Sequence, residues 1–182
     1  MSVAQPPPLE PAESPDALRR AFSCFPSGVV AVCAHEAGTN FVGMAASSFS
    51  TVSIDPPLVS VCVQNSSTTW PRLRTRATVG VSVFAHDQSE LCRQLAGPAP
   101  SRFAGVDLLG TDDGALFVDG AAAHLACDLH AEYPAGDHTV VLLRIRSLAA
   151  NPQVDPLVFH ASTFRALRID PSGPGSVIGT TS

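Results

Sequence analysis

The 182 residues suffice for one domain that buries most of the surface its unfolded chain exposes. A net charge of −5, with 11 basic against 16 acidic residues and no basic cluster beyond Arg72, Arg74 and Arg76, argues against a binder of the nucleic-acid backbone. Hydrophobic residues make up 45 % and charged ones 15 %, which leaves little polar surface for a lone monomer and favours a subunit interface.

Residues 1–13 are rich in Pro, Glu and Ala without periodicity and read as a mobile leader. Ser14-Pro15-Asp16 then starts a helix, with Ser14 as N-cap and Pro15 at the first helical position. Leu18, Ala21, Phe22 and Phe25 follow at helical spacing and predict one apolar stripe for packing, and Pro26 ends the helix. Residues 28–34 are almost wholly apolar, as in a strand covered on both faces. A turn at residues 36–40 leads into a strand from Phe41 that brings Gly43-Met-Ala-Ala-Ser-Ser-Phe49 alongside Ser27, Gly28 and Val29. A strand meant only for a core would use Val, Ile and Phe here. Met44, Ala45 and Ala46 instead leave room for a flat group against the backbone, and Ser47 and Ser48 offer hydroxyls to a polyol or a phosphate. There is no Gly-x-x-x-x-Gly-Lys-Ser/Thr pattern, so this is not a nucleotide P-loop.

Asp55-Pro-Pro57 is a turn, and residues 58–63 form a strand with Val59, Val61 and Val63 on one face. Gln64-Asn-Ser-Ser-Thr-Thr69 then opens a helix at Trp70. Free backbone N–H groups and the helix dipole make such a loop an anion site; the alternative is that Thr69 is an ordinary N-cap and the serines are solvated. Residues 78–85 alternate as a strand, and Asp87 caps a helix over 88–95 with Glu90 placed for a capping box. In Arg102-Phe-Ala-Gly105, Phe103 either lies against a bound flat ring or plugs the core. Residues 116–120, 122–133 and 139–145 read as strands, with a turn at 134–138 that sets His138 at the head of the most apolar one. Residues 157–160 and Phe164 close the domain, and 169–182 read as a loose tail.

Six histidines at 35, 86, 124, 130, 138 and 160 show no ligand spacing, so no metal site is expected. No Gly-x-Ser-x-Gly elbow or paired catalytic carboxylates are apparent. Five dispersed cysteines without a Cys-x-x-Cys argue against a disulfide framework. The N-terminus lacks the basic and apolar regions of a signal peptide, and no apolar run approaches the ~20 residues of a membrane helix. A soluble, cytoplasmic protein without membrane contact is expected.

Six motifs in order now carry a resemblance. They are Phe25-Pro-Ser-Gly-Val29, Gly43-Met-Ala-Ala-Ser-Ser-Phe49, Ser53-Ile-Asp-Pro-Pro-Leu58, Ser66-Ser-Thr-Thr69, Arg102-Phe-Ala-Gly-Val106 and Gly136-Asp-His138. From about Leu18 to Leu167 the chain resembles the flavin reductase family. That resemblance implies a mainly β fold, an FMN-binding split barrel with a few short flanking helices, spanning residues 14–168. It implies reduction of FAD or FMN by NADH or NADPH, a homodimer, and a partner flavin-dependent monooxygenase that receives reduced flavin. It implies that Ser27, Gly28, Val29, Met44, Ala45, Ala46 and Phe103 surround the flavin ring. Ser47, Ser48, Gln64, Asn65, Ser66, Ser67 and Thr69 would hold its ribityl and phosphate, and His138 would orient the dihydronicotinamide or assist a proton movement.

The chain also departs from the family pattern. Ala45 stands where many relatives have Thr, and Gln64 and Asn65 replace charged residues. Phe159-His-Ala-Ser-Thr-Phe164 replaces Tyr-His-x-Gly-x-Tyr. The alternatives are a flavin-binding split barrel without reductase activity, acting as carrier, sensor or accessory subunit, and an FMN-dependent oxidase.

Overall fold

The computed structural model describes residues 3–36 and 40–167. Residues 37–39 of the expected turn, the first two residues of the leader and the whole expected tail at 169–182 lie outside the described residues. The described leader residues are exposed and carry no helix or strand.

The chain opens with α1 (Pro15–Ser23), whose first turn is capped by Ser14 Oγ accepting from the Ala17 N–H at 3.4 Å. The expected apolar stripe exists; its Leu18 and Ala21 share a pocket with leader residues 8–12, while Phe22 and Phe25 stay exposed. None of the residues of α1 is buried, and Phe22 and Phe25 are 70 % and 77 % exposed. Periodicity reveals an apolar face, not what covers it: the helix expected as a packing element forms, with none of its residues buried in the single chain.

Twelve strands among the described residues build the body. β1 (Ser27–Gly28) and β2 (Val30–His35) are separate strands where the sequence suggested one. They part at Val29, whose carbonyl accepts from the Phe84 N–H. β2 is flanked along its length by β3 (Phe41–Ala46). Its other edge is shared between β6 (Val79–Val83) and β8 (Ala115–Val118). From β6 the sheet continues through β9 (Ala123–Ala135) and β10 (His138–Ala150) to β5 (Leu58–Gln64) and β4 (Ser50–Ser53), while β7 (Leu108–Gly110) flanks β8. A separate three-stranded sheet joins β1 to the hairpin of β11 (Val158–His160) and β12 (Thr163–Arg165).

The large sheet curls until β3 faces β5. No ladder joins them; instead Ser48 Oγ accepts from the Cys62 N–H at 2.8 Å and donates to the Cys62 carbonyl at 3.0 Å. This incompletely closed cylinder is the split barrel expected from the sequence. Its interior holds Val30, Val32, Val59, Val61, Val63, Val81, Val141 and Leu143. The opposite face of β2, with Ala31 and Cys33, packs with Phe84, Leu95 and Leu157 into a second core. The unbroken apolar run of β2 therefore reflects burial on both faces.

Two glycines are demanded by this arrangement. A Cβ on Gly80 would meet the Leu116 carbonyl oxygen at 2.2 Å, so only glycine lets β8 cross β6. Gly136 has φ +67° in the tight turn that begins β10. Two short helices complete the fold, α2 (Trp70–Leu73) and α3 (Ser89–Ala96). Asp87 does not cap α3. Gln88 is the N-cap, and its side chain instead accepts from the Ala85 N–H and donates to the Asp119 carbonyl.

Candidate active site

At residue 46 the β2–β3 ladder ends, and the chain swings away to reach Ser48. The gap that this leaves is a cleft of about 440 Å³ between the end of β3, the loop after β5 and the head of β10. Most of its rim is polar: Ser47, Gln64, Ser66, Thr68, Arg102 and His138. The hydroxyls of Ser47, Ser66 and Thr68 have no hydrogen-bond partner among the described residues. They are free for a ligand.

The loop of residues 64–69 is held by its own serine. Ser67 Oγ accepts from the N–H groups of Thr69 and Trp70 at 3.3 and 3.1 Å. Those are the donors that a helix start would have offered to an anion, and α2 is a single turn. The anion reading based on a helix dipole is therefore corrected. Trp70 is buried and anchors the turn through Nε1, which donates to Glu132 at 2.7 Å.

Positive charge in the cleft comes from Arg102, a residue the sequence reading quoted within a motif but gave no role. Its Nη1 donates to the Gly43 carbonyl at 2.8 Å and to Thr69 Oγ1 at 2.7 Å, and Nε donates to the Gly97 carbonyl at 2.8 Å. Thr69 stands at the N-cap position of α2, but its side chain does not cap the helix; its hydroxyl oxygen accepts from Arg102 and seats the guanidinium. Gln94 fixes the same loop from α3 by donating to the carbonyls of Ser101, Arg102 and Ala104. A guanidinium locked in this way stays aimed at the cleft without further loss of side-chain freedom.

His138 also lines the cleft, and its Nδ1 bonds to Asp137 Oδ1 at 2.8 Å. That bond and the nearby imidazole hold the Asp137 carboxyl below its ordinary value. With Nδ1 engaged, Nε2 is the nitrogen left for a ligand. Asn65 does not line the cleft. Its side chain donates to the Gly136 carbonyl and accepts from Thr139 Oγ1, so it positions the turn that carries His138.

A second cleft of about 290 Å³ lies beyond residues 45–47, which border both. Its walls are apolar: Val29, Ala96, Phe159 and Phe164, with Cys92 and Ser162. Phe159 and Phe164 meet edge to face at 5.3 Å between centroids, and Arg93 stands 4.8 Å above the Phe164 ring. Burial pushes the Cys92 thiol up to about 11, so this thiol is neutral and unreactive at physiological pH.

Of the residues expected at the site, Met44, Ala45, Ala46, Ser47, Ser48, Gln64, Ser66, Ser67, Thr69 and His138 converge on the polar cleft. Val29 faces the apolar one. Ser27 and Gly28 line neither; they pair with Phe159 and Val158 of β11. Phe103 takes the other option left open for it: it packs behind β3, where a Cβ on Gly43 would meet its ring at 2.8 Å, and edge-on to Phe41. It supports the backbone from the core side. Arg102, Thr68 and Arg93 were missed. Arg102 and Thr68 had a signal in the sequence, as members of the Arg102-Phe-Ala-Gly and Ser66-Ser-Thr-Thr69 motifs; Arg93 had none.

A profile described as "Flavin reductase like domain" matches residues 22–168. The chain belongs to the flavin reductase family. Among curated relatives of this family, the NADH-dependent FAD reductase of Streptomyces globisporus is 36 % identical over 177 residues, covering 93 % of this chain and 96 % of that protein. The reductase subunit HsaB of a flavin-dependent monooxygenase from Rhodococcus jostii is 29 % identical over 160 residues, covering 88 % and 82 %. Among solved flavin reductases, the NADH:FAD oxidoreductase of Streptomyces globisporus C-1027, in complex with NAD and FAD fragments, superposes with a TM-score of 0.82 at 34 % identity, covering 92 % of this chain and 100 % of that one.

Proposed function

We propose that this flavin reductase transfers a hydride from NAD(P)H to FAD or FMN and supplies the reduced flavin to a partner flavin-dependent monooxygenase. The observation that carries this reading is the junction of a polar and an apolar cleft at residues 45–47, in a chain of this family. The polar cleft fits a flavin's tail by its own chemistry, with three unspent hydroxyls and a guanidinium whose position is already fixed. FAD and NADH are the pair proposed first, by similarity to the Streptomyces globisporus enzyme.

The flavin supplies the chemistry when bound, accepting a hydride from the dihydronicotinamide. The chain contributes position and field. Ser47, Ser66, Thr68 and Arg102 hold the ribityl and phosphate, while Met44, Ala45, Ala46 and Val29 shape the place for the ring. Small side chains at 45 and 46 permit close approach, and the pinned guanidinium needs no reorganisation when an anion arrives. His138, oriented by Asp137, sets the donor by its free Nε2. Such alignment is worth much of a hydride-transfer barrier, because misplacement of about 1 Å costs roughly 100-fold in rate.

The same reading makes the protein a homodimer. Phe22 on α1 and Phe25 just after it, with Val52 and Ile54 at 49 % and 95 % exposure, supply apolar surface for a second copy to cover. Sedimentation of a monomer at micromolar concentration would count against it. Residues 14–168 form the catalytic unit, with 1–13 and 169–182 outside it. The cytoplasm, where NAD(P)H is made, is the proposed location, in keeping with five unpaired thiols. Among the described residues, no helix is long and apolar enough to cross a membrane.

The deciding experiment is anaerobic stopped-flow absorbance at the oxidised-flavin band, mixing protein and FAD or FMN with NADH or NADPH. Bleaching that depends on the protein is expected and ranks both cofactor pairs. Tight flavin binding with no bleaching by either nicotinamide would move the protein to the carrier or oxidase class.

A further inference from the structure

Among the described residues, Arg93 is the only charged side chain lining the apolar cleft. It projects from α3 across to the β11–β12 hairpin, where its guanidinium lies over the Phe164 ring at 4.8 Å. No hydrogen bond or ion pair to a described residue takes up its N–H groups. Arg102, on the other side of residues 45–47, spends its donors on three backbone or hydroxyl oxygens. The two clefts therefore each hold one cation, one locked in place and one uncommitted.

We propose that Arg93 holds the diphosphate of the nicotinamide dinucleotide, with the dihydronicotinamide entering the apolar cleft between α3 and the β11–β12 hairpin. This rests on the reductase reading and names the residue that captures its electron donor. Hydride transfer brings together two ligands, each with a flat ring and an anionic tail. Their reacting atoms must approach to about 3–3.5 Å. Residues 45–47 are common to both clefts, so rings entering from either side meet there while the tails point apart. The flavin tail already has its cation in Arg102. A second anionic tail needs another, and Arg93 has the unspent planar fork that suits phosphate oxygens. Stacking on Phe164 keeps the guanidinium at the mouth of the cleft without consuming its donors.

The test uses flavin-loaded full-length protein and the variants Arg93→Ala and Arg93→Lys. Binding of ADP-ribose, which carries the diphosphate but no nicotinamide, is measured by calorimetry, and steady-state reduction is measured with NADH and with NADPH. Arg93→Ala is expected to weaken ADP-ribose binding and to raise the KM for both nucleotides about 10- to 100-fold, the loss of one charge-assisted contact. Flavin affinity should stay within about twofold, and Arg93→Lys should recover part of the loss. Equal ADP-ribose affinity in wild type and Arg93→Ala would overturn the proposal, as would no detectable ADP-ribose binding to wild type. A weakened flavin affinity would assign Arg93 to the flavin instead, and a loss confined to NADPH would assign it to the 2′-phosphate. If wild type binds ADP-ribose through Arg93 but reduces no flavin, the reductase reading fails and this assignment stands.

Discussion

The two clefts on either side of residues 45–47 are built by opposite means. The polar one is made of groups whose positions are fixed by long-range hydrogen bonds: Ser48 to Cys62, Arg102 to Gly43 and Thr69, and Asn65 to Gly136. The apolar one is made by packing, with Phe159 against Phe164 and Arg93 laid on the latter. A hydrogen-bonded site is pre-organised for a tail of defined polar geometry. A site lined by side chains of a short hairpin and one helix face can admit and release a ring without breaking a network. An enzyme that must align two different ring-and-tail ligands at one place can use that asymmetry.

The comparison breaks most decisively at Arg102. Arg102→Ala removes three hydrogen bonds and the cation of the polar cleft together. Flavin affinity is expected to fall at least about 10-fold, and stability by about 2 kcal/mol, in line with hydrogen bonds made by a charged group. Binding of ADP-ribose should be spared. Fluorescence titration and urea unfolding check both, and a folded variant with wild-type flavin affinity would remove Arg102 from the site.

His138 gives the next largest effect. Its expected role is orientation, so His138→Ala should slow hydride transfer about 10- to 100-fold in single-turnover experiments while flavin binding stays nearly intact. Equal loss of both would remove it from the nicotinamide role. The bond to His138 holds the Asp137 carboxyl below its ordinary value, so the partner of Nδ1 is charged at neutral pH. A carboxylate held low contributes above its ordinary value and loses that contribution only as pH falls through the depressed one. Any loss of rate that appears between pH 5 and 8 and survives in Asp137→Asn therefore has another source.

These residues also separate what the sequence discloses from what it does not. The strand at 58–64 was legible because Val59, Val61 and Val63 alternate, and period-2 patterning survives any tertiary context. The small residues at 44–46 were legible because they are wrong for a core. Hydroxyl roles were not. Nothing local distinguishes Ser47, which is free, from Ser48, which is spent on a backbone 14 residues away. Arg102 acts on a carbonyl 59 residues away, a distance that no spacing rule spans. The α1 stripe was read correctly as amphipathic, yet none of the helix's residues is buried in the single chain.

Ser47 and Ser48 turn that distinction into a measurement within the polar cleft. Ser48→Ala leaves the Cys62 N–H and carbonyl without their partner where β3 meets β5, and should cost about 1–2 kcal/mol in unfolding free energy. Ser47→Ala should leave stability within about 0.5 kcal/mol, as expected for a surface substitution, and weaken flavin binding instead. The reverse pattern would mean that the hydroxyl roles had been exchanged.

The smallest expected effect lies in the apolar cleft. Ala161 and Ser162 at the tip of the β11–β12 hairpin have φ of 49° and 58°, the left-handed region that costs an L-residue roughly 1–2 kcal/mol. Ser162 stands at the position where the family pattern has glycine. Ser162→Gly relieves the strain but gives back about 0.5–1 kcal/mol of chain entropy, so a net gain near 0.5 kcal/mol is expected. That corresponds to a small rise in Tm, with flavin affinity unchanged because Ser162 does not border the polar cleft. The KM for the nicotinamide decides what the serine is for. An unchanged value means that the hairpin merely tolerates the strain. A raised value means that the hydroxyl takes part in binding the donor, and that the apolar cleft, unlike the polar one, keeps a side chain in place for its ligand at a cost in stability.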